Sequence, residues 1–105
     1  MQDFLDLVDT QLENGWVGNI VSKMLKDVRD NKITDEAVDR IVKIAAHPSK
    51  LDLFGYTAAE YAVASLCWVN TPYSLSFFRQ LTKDLSEKDM RRLSLLIDDR
   101  LYRCV

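Results

Sequence analysis

The sequence predicts an all-α fold, a single domain of about six helices over residues 1–105, and three observations support this prediction. First, three glycines and two prolines supply too few turns for many short strands. Second, no stretch alternates apolar and polar residues as a half-buried strand does. Third, apolar residues recur at helical spacing behind clear helix-start signals. A chain of 105 residues is also too short for two ordinary domains.

The first helix is predicted over residues 2–13, with one apolar side and one acidic side. The apolar side carries Phe4, Leu5, Val8 and Leu12. The other side carries Asp3, Asp6, Asp9 and Glu13. No lysine or arginine precedes Lys23, so these like charges repel one another and create a local negative field.

A second helix follows Gly15, which is expected to end the first. Its apolar residues repeat every four positions, at Trp16, Ile20, Met24 and Val28. A third helix begins after Thr34, whose side chain is suited to cap it. It should end at about Ala46 because the residue before Pro48 avoids the helical region. Its buried stripe is predicted to be Val38, Ile41, Val42 and Ala45.

The fourth helix is predicted over residues 57–69 and begins with a capping box. In this motif the Thr57 hydroxyl accepts from the Glu60 amide, while the Glu60 carboxylate accepts from the Thr57 amide. Tyr56 and Tyr61 are expected to pack as a hydrophobic staple around this start. The segment to Val69 is apolar on nearly every side, so we expect it to be the central helix of the fold.

The last two helices also have clear starts. The fifth opens at Thr71-Pro72, since a proline at the first helical position loses no hydrogen bond. The sixth begins after Ser86, a capping residue. The residues predicted to face inward are Leu75, Phe78, Leu81 and Leu85 beside the fifth helix, and Leu93, Leu96, Ile97 and Leu101 in the sixth.

Residues 37–85 contain a pattern that is similar to a known repeat family. The run that starts at Asp52, D-x-x-G-x-T-A-A-x-x-A-V, resembles the start of an ankyrin repeat, D-x-x-G-x-T-P-L-H-x-A-A. Ala58 stands where the family has proline, and Glu60 stands where it has histidine. The resemblance implies αα-hairpins stacked around the central apolar helix. A helical bundle without repeats is the alternative.

Catalytic and metal-binding residues are scarce, so we expect no enzyme, no cofactor and no metal site. His47 is the only histidine, and the chain has no Gly-rich phosphate loop, H-E-x-x-H or C-x-x-C motif. Cys67 and Cys104 are 37 positions apart (104 − 67) and cannot build a closed tetrahedral site with one histidine. Cys67 also lies in the most apolar helix, where a thiol stays protonated and unreactive.

The candidate functional residues are those suited to binding another protein. They are the acids Asp3, Asp6, Asp9 and Glu13 and the aromatic residues Trp16, Tyr56 and Tyr73. Tryptophan and tyrosine anchor interfaces because they bring a large contact area with few rotamers to immobilise. The acids could dock a basic partner instead of serving only as a solvated helix face.

In overall character the chain resembles the small helical immunity proteins that bacteria keep against their own secreted toxins, including those of contact-dependent growth inhibition. This resemblance implies tight binding to a toxin domain and occlusion of its active site. Several toxins of this kind are basic nucleases, and complementary charge would speed their encounter with an acidic partner. The expected partner is therefore a basic protein.

A helical regulatory or adaptor module is the alternative, including a helix-turn-helix DNA-binding regulator built from helices five and six. Lys88, Arg91 and Arg92 make the sixth helix basic, but Glu87 and Asp89 are interleaved with them. Nucleic acid is an unlikely partner for a chain with net charge −2. We expect a cytoplasmic protein without membrane contact, because the N-terminus is acidic and no charge-free apolar stretch approaches 18 residues.

Overall fold

Six α-helices form the described part of the chain, and the predicted all-α fold is confirmed. The computed structural model describes residues 3–14, 17–47, 54–100 and 102, and none of these residues belongs to a β-strand. The helices are α1 Phe4–Gln11, α2 Val17–Arg29, α3 Asp35–Ala46, α4 Ala58–Val69, α5 Pro72–Thr82 and α6 Glu87–Asp99, with a 3₁₀ turn at Leu12–Asn14. The predicted boundary residues Gly15, Trp16 and Pro48 lie outside the described residues.

Side-chain caps start five of the helices, because the first amides of a helix have no partner within it. The predicted caps Thr34, Thr57 and Ser86 are confirmed, and α5 opens at Thr71-Pro72 as predicted, with Thr71 as its cap. The capping box of α4 has both of its bonds, with Glu60 N to Thr57 Oγ1 at 3.1 Å and Thr57 N to Glu60 Oε1 at 3.0 Å. Asp3 caps α1 by accepting from the Asp6 amide at 2.9 Å.

Helix α4 is central, as predicted, because it packs against α2, α3, α5 and α6. Tyr61 and Leu66 are completely buried. Ser65 is also buried, and its hydroxyl donates to the Tyr61 carbonyl at 2.7 Å, so it adds no unpaired polar group to the core. The ring of Tyr56 lies edge-on to Tyr61 with centroids 6.0 Å apart, which matches the predicted staple.

Helices α1, α2 and α3 each contribute buried apolar residues to the core. Phe4 and Val8 of α1 are 3% exposed. The buried apolar residues of α2 and α3 are Ile20, Val21, Met24, Leu25, Ala37, Val38, Ile41 and Ile44. The predicted stripe of α3 is confirmed at Val38 and Ile41, whereas Val42 and Ala45 are only half-buried.

Helices α5 and α6 are covered less completely. The buried residue of α5 is Ser74, and those of α6 are Leu93 and Leu96. The prediction that Leu85 faces inward is wrong, because α5 ends at Thr82 and Leu85 is 36% exposed in the connection to α6. Leu75, Phe78, Leu81 and Ile97 are half-buried, and Leu101 lies outside the described residues.

The segment that resembles an ankyrin repeat contains α3, α4 and α5. Neighbouring helices in this segment contact each other, α3 with α4 and α4 with α5, as they would in stacked αα-hairpins and equally in a bundle. The ankyrin resemblance therefore stays a prediction.

Candidate functional site

Helices α1 and α3 are joined at the surface by a bidentate ion pair. Arg40 donates from Nε to Asp9 Oδ1 at 2.9 Å and from Nη2 to Asp9 Oδ2 at 3.1 Å. The hydrogen bond from Arg40 holds the pKa of Asp9 below its ordinary value. Asp9 is therefore a charged group with a fixed orientation, because a guanidinium and a carboxylate match as two parallel hydrogen bonds.

A second surface bond joins α3 to α5. The Tyr73 hydroxyl donates to Asp39 Oδ1 at 2.5 Å, and this bond raises the pKa of Tyr73. The Tyr73 ring is 39% exposed and lies edge-on to Phe77, with centroids 5.1 Å apart. The orientation of the exposed Tyr73 ring is thus fixed by the hydrogen bond of its hydroxyl to Asp39 and by the contact of its ring with Phe77.

These bonds create one continuous surface, which we call the acidic face. It consists of Asp6, Asp9, Glu36, Asp39, Arg40 and Tyr73. Glu36 and Asp39 lie close enough to Arg40 to help raise its pKa, although its hydrogen bond to Asp9 is the larger cause. Asp6 lies one turn before Asp9 on α1 and is exposed. The four carboxylates of this face outnumber Arg40 and the neighbouring Lys43, which also lies near Asp9, so its local field is negative.

Of the residues that were predicted to bind a protein partner, Asp6, Asp9 and Tyr73 lie together on the acidic face. Asp3 is exposed, and its side chain serves as the α1 cap. Glu13 is exposed beyond the other end of α1, where it shares a shallow cleft with Lys43 of α3. Trp16 lies outside the described residues.

Tyr56 belongs to a different cluster, centred on Arg92 of α6. Arg92 donates to Glu60 Oε2 from Nε and to Oε1 from Nη2, both at 3.0 Å. Its Nη2 also donates to the Gly55 carbonyl at 2.6 Å, and its guanidinium lies 5.2 Å from the centre of the Tyr56 ring. The half-buried Tyr56 is therefore part of the joint between α6 and the start of α4.

Glu60 has opposing influences on its pKa. Burial raises it, but the hydrogen bonds from Arg92 and from the Thr57 amide lower it by more, so the pKa lies below its ordinary value of 4.5. Glu60 therefore stays ionised and supports two structures at once, the α4 capping box and the contact with α6.

Phe54, which lies just before this cluster, is exposed and was not among the residues predicted to bind a partner. Phe54 is 68% exposed and has φ of +56°, a left-handed conformation that disfavours residues with a side chain. Among the described residues other than glycine, three more share this conformation, Asn31, Asn70 and Arg100, and each follows the end of a helix. Phe54 does not end a described helix. In the sequence, a large apolar residue directly before a turn glycine could have indicated that Phe54 is exposed.

The described residues include neither a metal-binding cluster nor an activated cysteine. No group of three or more histidine, cysteine or acidic side chains within them is placed to hold a metal ion. Burial raises the pKa of the Cys67 thiol, which keeps it protonated and poorly nucleophilic. No helix in the described ranges has both the length and the apolar character needed to cross a membrane.

The basic residues of α6 are largely engaged with acids of the same chain. Arg92 is bound to Glu60, and Arg91 lies 3.5 Å from Glu87 in an exposed pair one turn apart. A DNA reader needs its arginines directed at phosphates and base edges. This arrangement therefore favours the acidic face over α6 as the candidate site.

Comparison of the chain with protein-family models, curated proteins and solved structures found no match.

Proposed function

We propose that the chain is a non-enzymatic binding protein that neutralises a basic toxin domain by covering its active site. The observation that supports this proposal is the acidic face, on which α1 and α3 each hold one carboxylate in a fixed orientation beside the exposed Tyr73 of α5. Such a surface suits an immunity protein that acts by occlusion and performs no turnover. The cytoplasmic location remains part of this proposal.

The order of the acidic face matters for affinity. Side chains that are fixed before binding lose less conformational entropy when a complex forms. Asp9 is fixed by Arg40 and Asp39 by Tyr73, so these carboxylates are oriented in the free protein. A flexible acidic patch of the same charge would attract a basic partner but would hold it less tightly.

A nuclease is the toxin class that the acidic face fits best. The active site of a nuclease binds phosphates, and oriented carboxylates could occupy those positions. Complementary charge would accelerate association in a salt-dependent way, while the Tyr73 ring would slow dissociation through its buried area. We therefore expect the proposed complex to associate quickly, because of its charges, and to dissociate slowly.

The proposal predicts that a basic toxin domain is encoded beside this chain, and binding to that domain tests it. We expect Asp6→Lys combined with Glu36→Lys to slow association at least about tenfold at low salt and much less at high salt, because salt screens exposed charges. Asp98→Lys combined with Asp99→Lys on α6 is the matched control, since it reverses the same number of charges and both residues are exposed outside the acidic face. Association rates are measured by surface plasmon resonance after circular dichroism has verified folding.

Two results would overturn the proposal. One is an association rate that is unchanged in the double variant at both salt concentrations. The other is turnover of a nucleic acid or small molecule by the purified chain alone.

A helical adaptor is the second candidate function, and an apolar groove beside α4 favours it. This groove is lined by Ala45, Val63, Leu81 and Leu93, among other residues. An adaptor would bind a partner helix but would not inhibit a toxin. If the alternative DNA-binding regulator were correct, the chain would be retained on a duplex DNA column and released by salt.

A further inference from the structure

An open groove lies where α5 and α6 both pack on α4 and leave a space between them. Its volume is about 350 Å³, and its apolar lining comes from four helices and from the connection between α5 and α6. The lining residues are Ala45, Ala59, Val63, Leu81, Leu85 and Leu93. Leu85 is 36% exposed, so this apolar surface remains in contact with water in the free chain.

The charge at the edge of the groove is unbalanced. Glu60, Arg92 and Asp89 lie there. Glu60 and Arg92 neutralise each other through their bidentate bond. Asp89 is exposed, and only its backbone amide has a bond among the described contacts, to Ser86 Oγ at 3.1 Å. The net charge left at the edge is therefore the negative charge of Asp89.

We propose that this groove binds an amphipathic helix of a protein partner, with bulky apolar side chains in the groove and a lysine or arginine paired with Asp89. An amphipathic helix offers apolar anchors three or four residues apart and a flanking charge on one side. The groove is open along Leu85 and Asp89, whereas a small-molecule pocket encloses most of its ligand. Charge complementarity selects a cationic helix over an anionic one.

This inference rests on the proposed function only in requiring a protein partner, and it deepens that proposal by adding a second contact region. A basic toxin would contact the acidic face with its charged surface and the groove with one helix. Two separate contact regions on one partner increase affinity because the second contact forms intramolecularly.

The test is an NMR titration of the full ¹⁵N-labelled chain with a designed helical peptide of leucine and lysine. A second peptide with glutamate in place of lysine is the charge control. We expect the lysine peptide to shift the amides of Val63, Leu81 and Leu93 and to bind at least about tenfold more tightly than the glutamate peptide.

Substitutions inside and outside the groove test where the lysine peptide binds. Leu85→Ser should weaken the lysine peptide at least about tenfold, and Asp89→Asn about threefold to tenfold. Leu95→Ser and Asp98→Asn are the controls, because Leu95 is 55% exposed and both residues lie on α6 outside the groove. Each control should change the affinity by less than about twofold.

Three results would overturn the groove proposal. They are shifts confined to α1 and α3, equal weakening by Leu85→Ser and Leu95→Ser, and concentration-dependent shifts without peptide that show a second copy of the chain in the groove. The acidic-face variant Asp6→Lys should leave peptide shifts in the groove unchanged. Loss of toxin binding in Asp6→Lys and Glu36→Lys, with no peptide binding to the groove, would therefore reject this inference alone.

Discussion

Helices α1–α3 and helices α5–α6 are covered to different extents, although α1 and α3 begin with side-chain caps like those of α5 and α6. Ile20, Met24, Ile41 and Ile44 of α2 and α3 are 0% exposed. In contrast, the buried residue of α5 is Ser74, those of α6 are Leu93 and Leu96, and Leu85 after α5 is 36% exposed. Helix-start signals therefore do not determine how much of a helix is buried. We infer that the first helices supply most of the stability, while α5 and α6 leave apolar surface available for a partner.

The largest expected difference between the two regions comes from truncating one isoleucine in each. Ile41→Ala should lower the free energy of unfolding by about 3–4 kcal/mol, because it leaves a cavity in a closed core. Ile97→Ala should lower it by about 1–2 kcal/mol, because Ile97 is half-buried and water can replace part of its contacts. Urea unfolding followed by circular dichroism measures both. Equal losses would contradict the comparison.

A smaller effect is expected from removing the arginine that ties α6 to the start of α4. Arg92→Ala should lower the free energy of unfolding by about 1–2 kcal/mol, since it removes an ion pair, a bond to the Gly55 carbonyl and the contact with the Tyr56 ring. Arg92→Lys should recover less than half of this loss, because lysine cannot form two parallel bonds. Arg40→Ala is the matched variant in the other region, and its loss should be smaller because Arg40 makes the Asp9 pair without a backbone carbonyl bond in the described contacts.

The smallest expected effect is a difference in acid sensitivity. The pKa of Glu60 is lowered from 4.5 in the folded chain, so its contribution to stability is present above pH 4.5 and is lost as the pH falls through the lowered pKa. Glu60→Gln should therefore make the decline in unfolding free energy below pH 4.5 shallower. Asp9→Asn should flatten the decline only below pH 3.8, because the pKa of Asp9 is lowered from that value.

Unfolding free energies measured at several pH values, from neutral to about pH 3, test this difference. An Asp9→Asn variant that changed the decline between pH 4.5 and pH 3.8 would contradict the assignment of that interval to Glu60.

The helices could be predicted from the sequence because their signals are local. Thr34, Thr57, Thr71 and Ser86 each cap a helix whose first amides lie within three residues of the cap. The central position of α4 was also predictable, because a helix that is apolar on nearly every side is stable only when neighbours cover it. Both the helix starts and the central position of α4 therefore follow from residues that are close together in the sequence.

The contacts between helices could not be predicted in the same way. Arg40 reaches Asp9 across 31 positions and Arg92 reaches Glu60 across 32, and no local pattern indicates which arginine meets which carboxylate. The acidic stripe of α1 was expected to have no basic neighbour within its own segment, and a distant arginine from α3 binds it. The groove likewise depends on how α5 and α6 diverge, which is a property of tertiary packing.

Phe54 shows that folding and surface chemistry place opposite demands on one position. Its left-handed backbone costs roughly 1 kcal/mol or more for a residue with a side chain, and its exposed ring returns little of the free energy that burial would provide. A glycine at this position would adopt the same backbone conformation without strain and would expose no apolar side chain to water. Chain stability alone therefore gives position 54 no reason to be phenylalanine.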